Sequence, residues 1–152
     1  MGAVTYPNEE VQREIHAHFV PVRFDVIQAP PVMDRFNASW TPTIIVEDPN
    51  GHEHRRSQGY LDPRRFLGEM ALARLKDALD RRDWKEALER AKEARERTRG
   101  DRAREPEALY WSAVARYKSS DDATGLTDGW NQLLDAFPDS EWAKRAEFIR
   151  RR

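Results

Sequence analysis

Trp40-Thr41-Pro42-Thr43-Ile44-Ile45-Val46-Glu47-Asp48-Pro49-Asn50-Gly51 is the stretch on which the fold turns. Thr41 to Val46 is apolar and β-branched, the composition of a buried strand. Asp48-Pro49-Asn50-Gly51 is a strong turn signal, and Glu53 to Gly59 is placed to return as the second strand of a hairpin. Toward the N-terminus, Val20-Pro21-Val22-Arg23-Phe24-Asp25-Val26 alternates apolar and polar side chains with the period of a half-buried strand. Pro21 is tolerable there only at a strand beginning or edge. Pro7 to His18, with Val11, Ile15 and His18 at helical spacing, predicts a short amphipathic helix closed by Phe19, and Pro30-Pro31 opens another through Phe36.

Beyond the hairpin the pattern is helical throughout. Asp62-Pro63 supplies an N-cap and a first-turn proline for a helix running to about Asp80. A second helix starts at Asp83 with Trp84, Ala87, Leu88 and Ala91 on one stripe, and Thr98-Arg99-Gly100-Asp101 ends it. Pro106 opens a third, carrying Tyr110, Val114 and Tyr117. A fourth bears Leu126, Trp130, Leu133, Leu134 and Phe137, and Pro138-Asp139-Ser140 interrupts it and caps a last helix with Trp142, Ala146 and Ile149. The expected fold class is α/β followed by all-α, with domains at 1–80 and 81–152 that share the helix at 62–80.

Composition narrows the function. The 152 residues carry 26 Lys and Arg against 27 Asp and Glu, so no general attraction to nucleic acid or an anionic membrane is expected. No apolar run approaches the roughly 20 residues of a membrane helix, and no signal peptide is legible, so the chain reads as cytoplasmic. There is no cysteine, which excludes a thiol nucleophile, a disulfide or a cysteine zinc site within these residues. No nucleophile elbow or phosphate-binding glycine loop marks a hydrolase.

Residues 4 to 75 resemble the thioredoxin-fold family: strand Val20–Val26, a helix, Trp40-Thr41-Pro42-Thr43 entering a strand, the Asp48–Gly51 turn, Gly59-Tyr60-Leu61 and a closing helix. The resemblance implies a cis peptide bond at Thr41-Pro42, a form taken by only about 5% of such bonds in general. It also implies a Cys-x-x-Cys motif opening the first helix, where the helix start lowers the pKa of the attacking thiol. The motif and the strand before it are absent here, and Gly2-Ala3-Val4-Thr5-Tyr6-Pro7 resembles the stretch that follows the motif. The missing strand normally lies between those at 20–26 and 41–46, whose inner edges are therefore expected to lack partners. Three arrangements answer this: a longer native chain, direct pairing of the two strands, or a second copy covering the edge as a homodimer.

Residues 63 to 152 resemble helix-pair repeats of the tetratricopeptide type, through Arg82-Asp83-Trp84-Lys85-Glu86-Ala87-Leu88, Tyr110–Tyr117 and Phe137-Pro138-Asp139-Ser140. About three such repeats are usually needed for stability alone, so these helices are expected to lean on the first half or on a second subunit.

Few residues bear chemistry. Trp40, Thr41 and Pro42 are candidates for peptide contact, because family members hold substrate backbone at that loop; a Trp that merely fills space is the competing reading. Tyr110 and Trp111 are candidates for a helical groove, against core packing, with Trp111 expected on a different face from the other helical tryptophans. His52 and His54 share one side of the second strand, but no third ligand is apparent and neither metal nor cofactor is expected. His16 and His18 read as structural, and the charges of Glu86 to Arg97 as a solvated face. Two functions remain: a redox-inactive thioredoxin-like scaffold for a protein or peptide partner, or the rear portion of a thiol-disulfide oxidoreductase whose Cys-x-x-Cys lies upstream of Met1.

Overall fold

A computed structural model of the chain describes residues 1–151. They form two compact units, Met1–Leu67 and Gly68 onward. The fold is an α/β region with a two-stranded sheet followed by an all-α region, as the sequence leads one to expect.

In the first unit, helix α1 (Glu9–His18) begins where the Asn8 side chain accepts hydrogen bonds from the N–H groups of Glu10 and Val11. Acidic Glu9 and Glu10 lie at its positive end and His16 and His18 at its negative end, as the helix dipole favours. Val11 is its fully buried anchor. Helix α2 (Pro31–Arg35) is a single turn and a half started by proline. Strands β1 (Thr43–Glu47) and β2 (Glu53–Gln58) pair antiparallel, Thr43 opposite Gln58 and Ile45 opposite Arg56, with an irregularity after Val46. The turn between them is built by Asp48, whose Oδ1 accepts the N–H groups of Asn50 at 2.8 Å and His52 at 2.9 Å, with Gly51 at φ 81°. Arg56 of β2 donates to the Phe36 carbonyl at 2.9 Å and so fastens the end of α2 to the sheet. The two ends of the unit meet at Thr5, whose buried hydroxyl donates to the Leu61 carbonyl, and at Tyr6, whose ring sits edge-on to Phe66.

One expectation fails here. Residues 20–26 form no strand; β1 and β2 are the whole sheet among the described residues, so the segment at 20–26 does not pair directly with β1 either. Val20 and Val22 are 92% and 72% exposed. Alternation is a local signal, whereas a strand exists only through its ladder, and Pro21 removes one donor from this one.

The second unit needs no such ladder. It takes up helix α3 (Pro63–Asp80) from Gly68 and continues with α4 (Trp84–Thr98), α5 (Glu105–Ser120), α6 (Ala123–Ala136), α7 (Glu141–Ala146) and a closing 3-10 turn at Glu147–Arg151. The starts follow the sequence signals: Asp83 accepts from Glu86 N–H, Asp122 from Thr124 N–H and Ser140 from Ala143 N–H. One core joins Leu72, Leu75 and Leu79 of α3 to Ala87, Ala91 and Ala94 of α4 and Ala108 and Ala115 of α5. Another joins Leu109 and Ala113 to Trp130, Leu133 and Leu134 of α6 and Ala143 and Ala146 of α7. Helices α5 and α6 touch so closely at Gly129 that a Cβ there would lie 2.6 Å from that of Ala113. Buried Glu69 receives a hydrogen bond from Arg104, which also reaches Asp101, so the charges in this unit's interior are paired.

Candidate functional site

The most exposed aromatic side chain of the first unit, Trp40, stands immediately before the cis peptide bond Thr41-Pro42. The loop is held at both sides. Thr43 Oγ1 donates to the Trp40 carbonyl at 2.6 Å, and the Gly59 N–H donates to the Pro42 carbonyl at 2.8 Å. These bonds fix the backbone and leave the Trp40 side chain 65% exposed, so it does not fill an interior space. Gly59, at φ 90°, then turns the chain so that Tyr60 follows at the same end of the hairpin, 53% exposed. Trp40 and Tyr60 thus offer two solvent-facing aromatic side chains at the same end of the hairpin. Sequence reasoning missed Tyr60 as a site residue; the available signal is an aromatic directly after a glycine that ends a strand.

At the opposite end of the hairpin, Asp48 Oδ2 lies 3.2 Å from His52 Nδ1 and 3.8 Å from His54 Nε2. The hydrogen bond from His52 N–H first, then those from Asn50 N–H and the His52 ring, hold the Asp48 carboxyl down at a pKa of about 2. The third group that the sequence left unseen beside the two histidines is therefore a turn-building carboxylate. Among the described residues, no group of three His, Cys, Asp or Glu side chains is arranged to hold a metal ion.

In the second unit Tyr110 and Trp111 sit within an aromatic cluster. The Tyr110 ring stacks on Trp130 with centroids 4.9 Å apart and also meets Trp142 at 5.2 Å. Trp111 meets Trp142 as well, at 5.9 Å, although it is the next residue along the helix. Trp111 nonetheless lies on another face, as its position beside Tyr110 leads one to expect: it packs against the core of α3 and α4, whereas Tyr110, Trp130 and Trp142 pack against the core of α6 and α7. Lys76 Nζ sits 4.3 Å above Trp111, and among the described residues the buried indole N–H of Trp111 has no acceptor. A separate open cavity of about 420 Å³ lies between α4 and α5, lined by Lys92, Arg95, Glu96, Arg99, Glu105 and Leu109. Burial first, and then the nearby Arg116 charge, pushes Arg95 below the usual arginine range.

The cis-proline loop, the hairpin and the helix that follows define the first unit as the rear part of a thioredoxin-type fold. Residues 1–74 match the family described as a thioredoxin-like domain, so the chain carries a thioredoxin-like domain over that span. Neither the curated proteins nor the solved structures yielded a match to the chain. Among the described residues no helix is long and apolar enough to cross a membrane.

Proposed function

We propose that this chain is a redox-inactive thioredoxin-like module that binds an extended peptide or protein segment at Trp40, Thr41 and Pro42. The observation that carries the reading is the exposed Trp40 beside the cis Thr41-Pro42 bond, in a sequence without a thiol. Proteins of the thioredoxin fold hold substrate backbone at the corresponding loop, which supports this reading, and two exposed aromatic rings give apolar area at little entropic cost. The helices from residue 63 on act in this reading as a tetratricopeptide-like extension that adds surface for the same partner, with Tyr110 and Trp111 at its aromatic centre. Self-association as a homodimer through an exposed sheet edge is a separate part of the proposal.

The test is a peptide-display selection against the purified chain, followed by titration of the selected peptides into Trp40→Ala. Loss of an exposed aromatic anchor should weaken binding about tenfold to a hundredfold. Peptides bound equally by the variant, or none selected at all, would refute the loop as the site. A second reading is favoured by the completeness of the cis-proline loop: the chain serves as the rear portion of a thiol-disulfide oxidoreductase that carries Cys-x-x-Cys upstream of Met1. Titratable thiols on the protein isolated from its own cells would decide for it; a thiol-free protein would decide for the first.

A further inference from the structure

Val20-Pro21-Val22-Arg23-Phe24-Asp25-Val26 has a strand's composition and none of a strand's partners. Among the described residues, the backbone of Val20 to Phe24 makes no hydrogen bond. Val20, Val22 and Ile27 are largely exposed, and Phe24 is half-exposed with its ring 5.8 Å from Phe36. Unpaired amides and carbonyls flanked by apolar side chains are a template for strand addition.

The segment is also complementary to itself. In an antiparallel pair of two copies with the twofold axis at Phe24, Arg23 stands opposite the copy's Asp25, Asp25 opposite the copy's Arg23, and Val22 opposite the copy's Val26. Arg23 is exposed and makes no salt bridge among the described residues. Asp25 is exposed; its Oδ1 accepts the Ile27 N–H at 2.9 Å, and it makes no salt bridge among the described residues.

Backbone chemistry selects the same register independently. In an antiparallel ladder, residues alternate between those whose N–H and C=O both face the partner strand and those whose groups both face away. Pro21 has no N–H to give. The Asp25 carbonyl is already taken by Gln28 N–H at 3.2 Å and Ala29 N–H at 2.8 Å. Both residues are odd-numbered, so one phase turns both away and leaves Val22 and Phe24 to bond the copy, with the N–H of Val26, the first residue of the turn, facing it as well. That phase puts Phe24 opposite Phe24 in a hydrogen-bonded pair and Arg23 opposite Asp25 in the closer, non-hydrogen-bonded pair. The charges, the proline and the turn at Asp25 agree on one arrangement.

We infer that two copies of this chain associate by antiparallel pairing of Val22 to Val26 about Phe24, with Arg23 and Asp25 of each meeting their opposites in the other. This rests on the reading of the first unit as an interaction module and names a second copy as the partner of this segment. Sedimentation equilibrium of the full chain tests it with Arg23→Asp, Asp25→Arg and an equimolar mixture of the two. The unmutated chain should dimerise. Each variant alone should self-associate about tenfold more weakly or less, because symmetry turns two attractive cross-strand pairs into two repulsive ones. The mixture should recover the dimer, since one variant carries a carboxylate at both positions and meets a guanidinium at both positions of the other. A recovered mixture also shows that both variants fold.

A second measurement uses the absence of cysteine. Phe24→Cys introduces the only thiol. Opposed residues of a hydrogen-bonded pair have Cα atoms about 5.5 Å apart, within disulfide reach, so mild oxidation should convert the dimer to a covalent one. A chain that stays monomeric at millimolar concentration overturns the inference while leaving peptide binding at Trp40 to stand. A dimer indifferent to both charge reversals, or one that does not cross-link through position 24, assigns association to another surface and overturns it equally. Binding of a foreign extended peptide along residues 20–26 by a monomeric chain would do the same.

Discussion

Leu72, Leu75 and Leu133 of the helical unit are fully withdrawn from solvent, whereas Ile44, Ile45 and Val46, the most apolar run of the first unit, are each only partly covered. The first unit is rich in Val, Ile and Pro and the second in Ala and Leu, and the elements these residues build differ in what they need. A helix satisfies its own backbone and needs neighbours only for its stripe, while a strand needs a neighbour for its backbone and another layer for its side chains. The all-α unit therefore completes its cores with the residues it has. The two-stranded unit keeps apolar side chains and a free backbone segment on its surface, and those leftovers are where its proposed functions lie.

Mutations can break that comparison. Leu133→Ala should cost about 3 kcal/mol in denaturant unfolding, because a fully buried side chain leaves a cavity. Ile44→Ala, at a residue only partly buried, should cost about 1 kcal/mol. Equal losses would mean that the sheet is covered in solution as well as the helices are. Gly129→Ala should cost about 2 kcal/mol, since a Cβ at 2.6 Å from that of Ala113 forces α5 and α6 apart. A neutral result there would show that the helical core is looser than its contacts imply.

The smallest effect concerns the hairpin turn. The Asp48 carboxyl is held at about 2, against an ordinary value of 3.8. Because the folded value is depressed, its contribution to stability is fully present above about pH 4 and is lost as the pH falls through 2. A carboxyl NMR titration of Asp48 should therefore have its midpoint near 2. A midpoint at the ordinary value would mean that the turn's hydrogen bonds are not maintained, and would widen the difference between the two units.

What could be read from the sequence divides along the same line. The caps at Asp83 and Ser140, the stripe of Trp130, Leu133 and Leu134, and the turn at Asp48 to Gly51 are local features, and each lies where the residues put it. The cis bond at Pro42 came from family resemblance alone, since the residue pair by itself favours trans. The failed strand at 20–26 had the right alternation but depended on a partner that no local pattern can supply. Trp40 was legible as a candidate through its neighbour Pro42. Tyr60 was not, because only the φ of Gly59 and the bond from its N–H to Pro42 bring it to the same end of the hairpin.

The boundary between the units falls inside α3, between Leu67 and Gly68, with no linker of loop residues. A gene cut at that point would end one fragment with unsatisfied helix carbonyls and start the other with unsatisfied helix amides, four at each new end. Recombination that moved either half to another protein would have to carry Pro63–Asp80 whole. A shared helix of this kind makes the two halves overlapping pieces, so neither can be moved without part of the other.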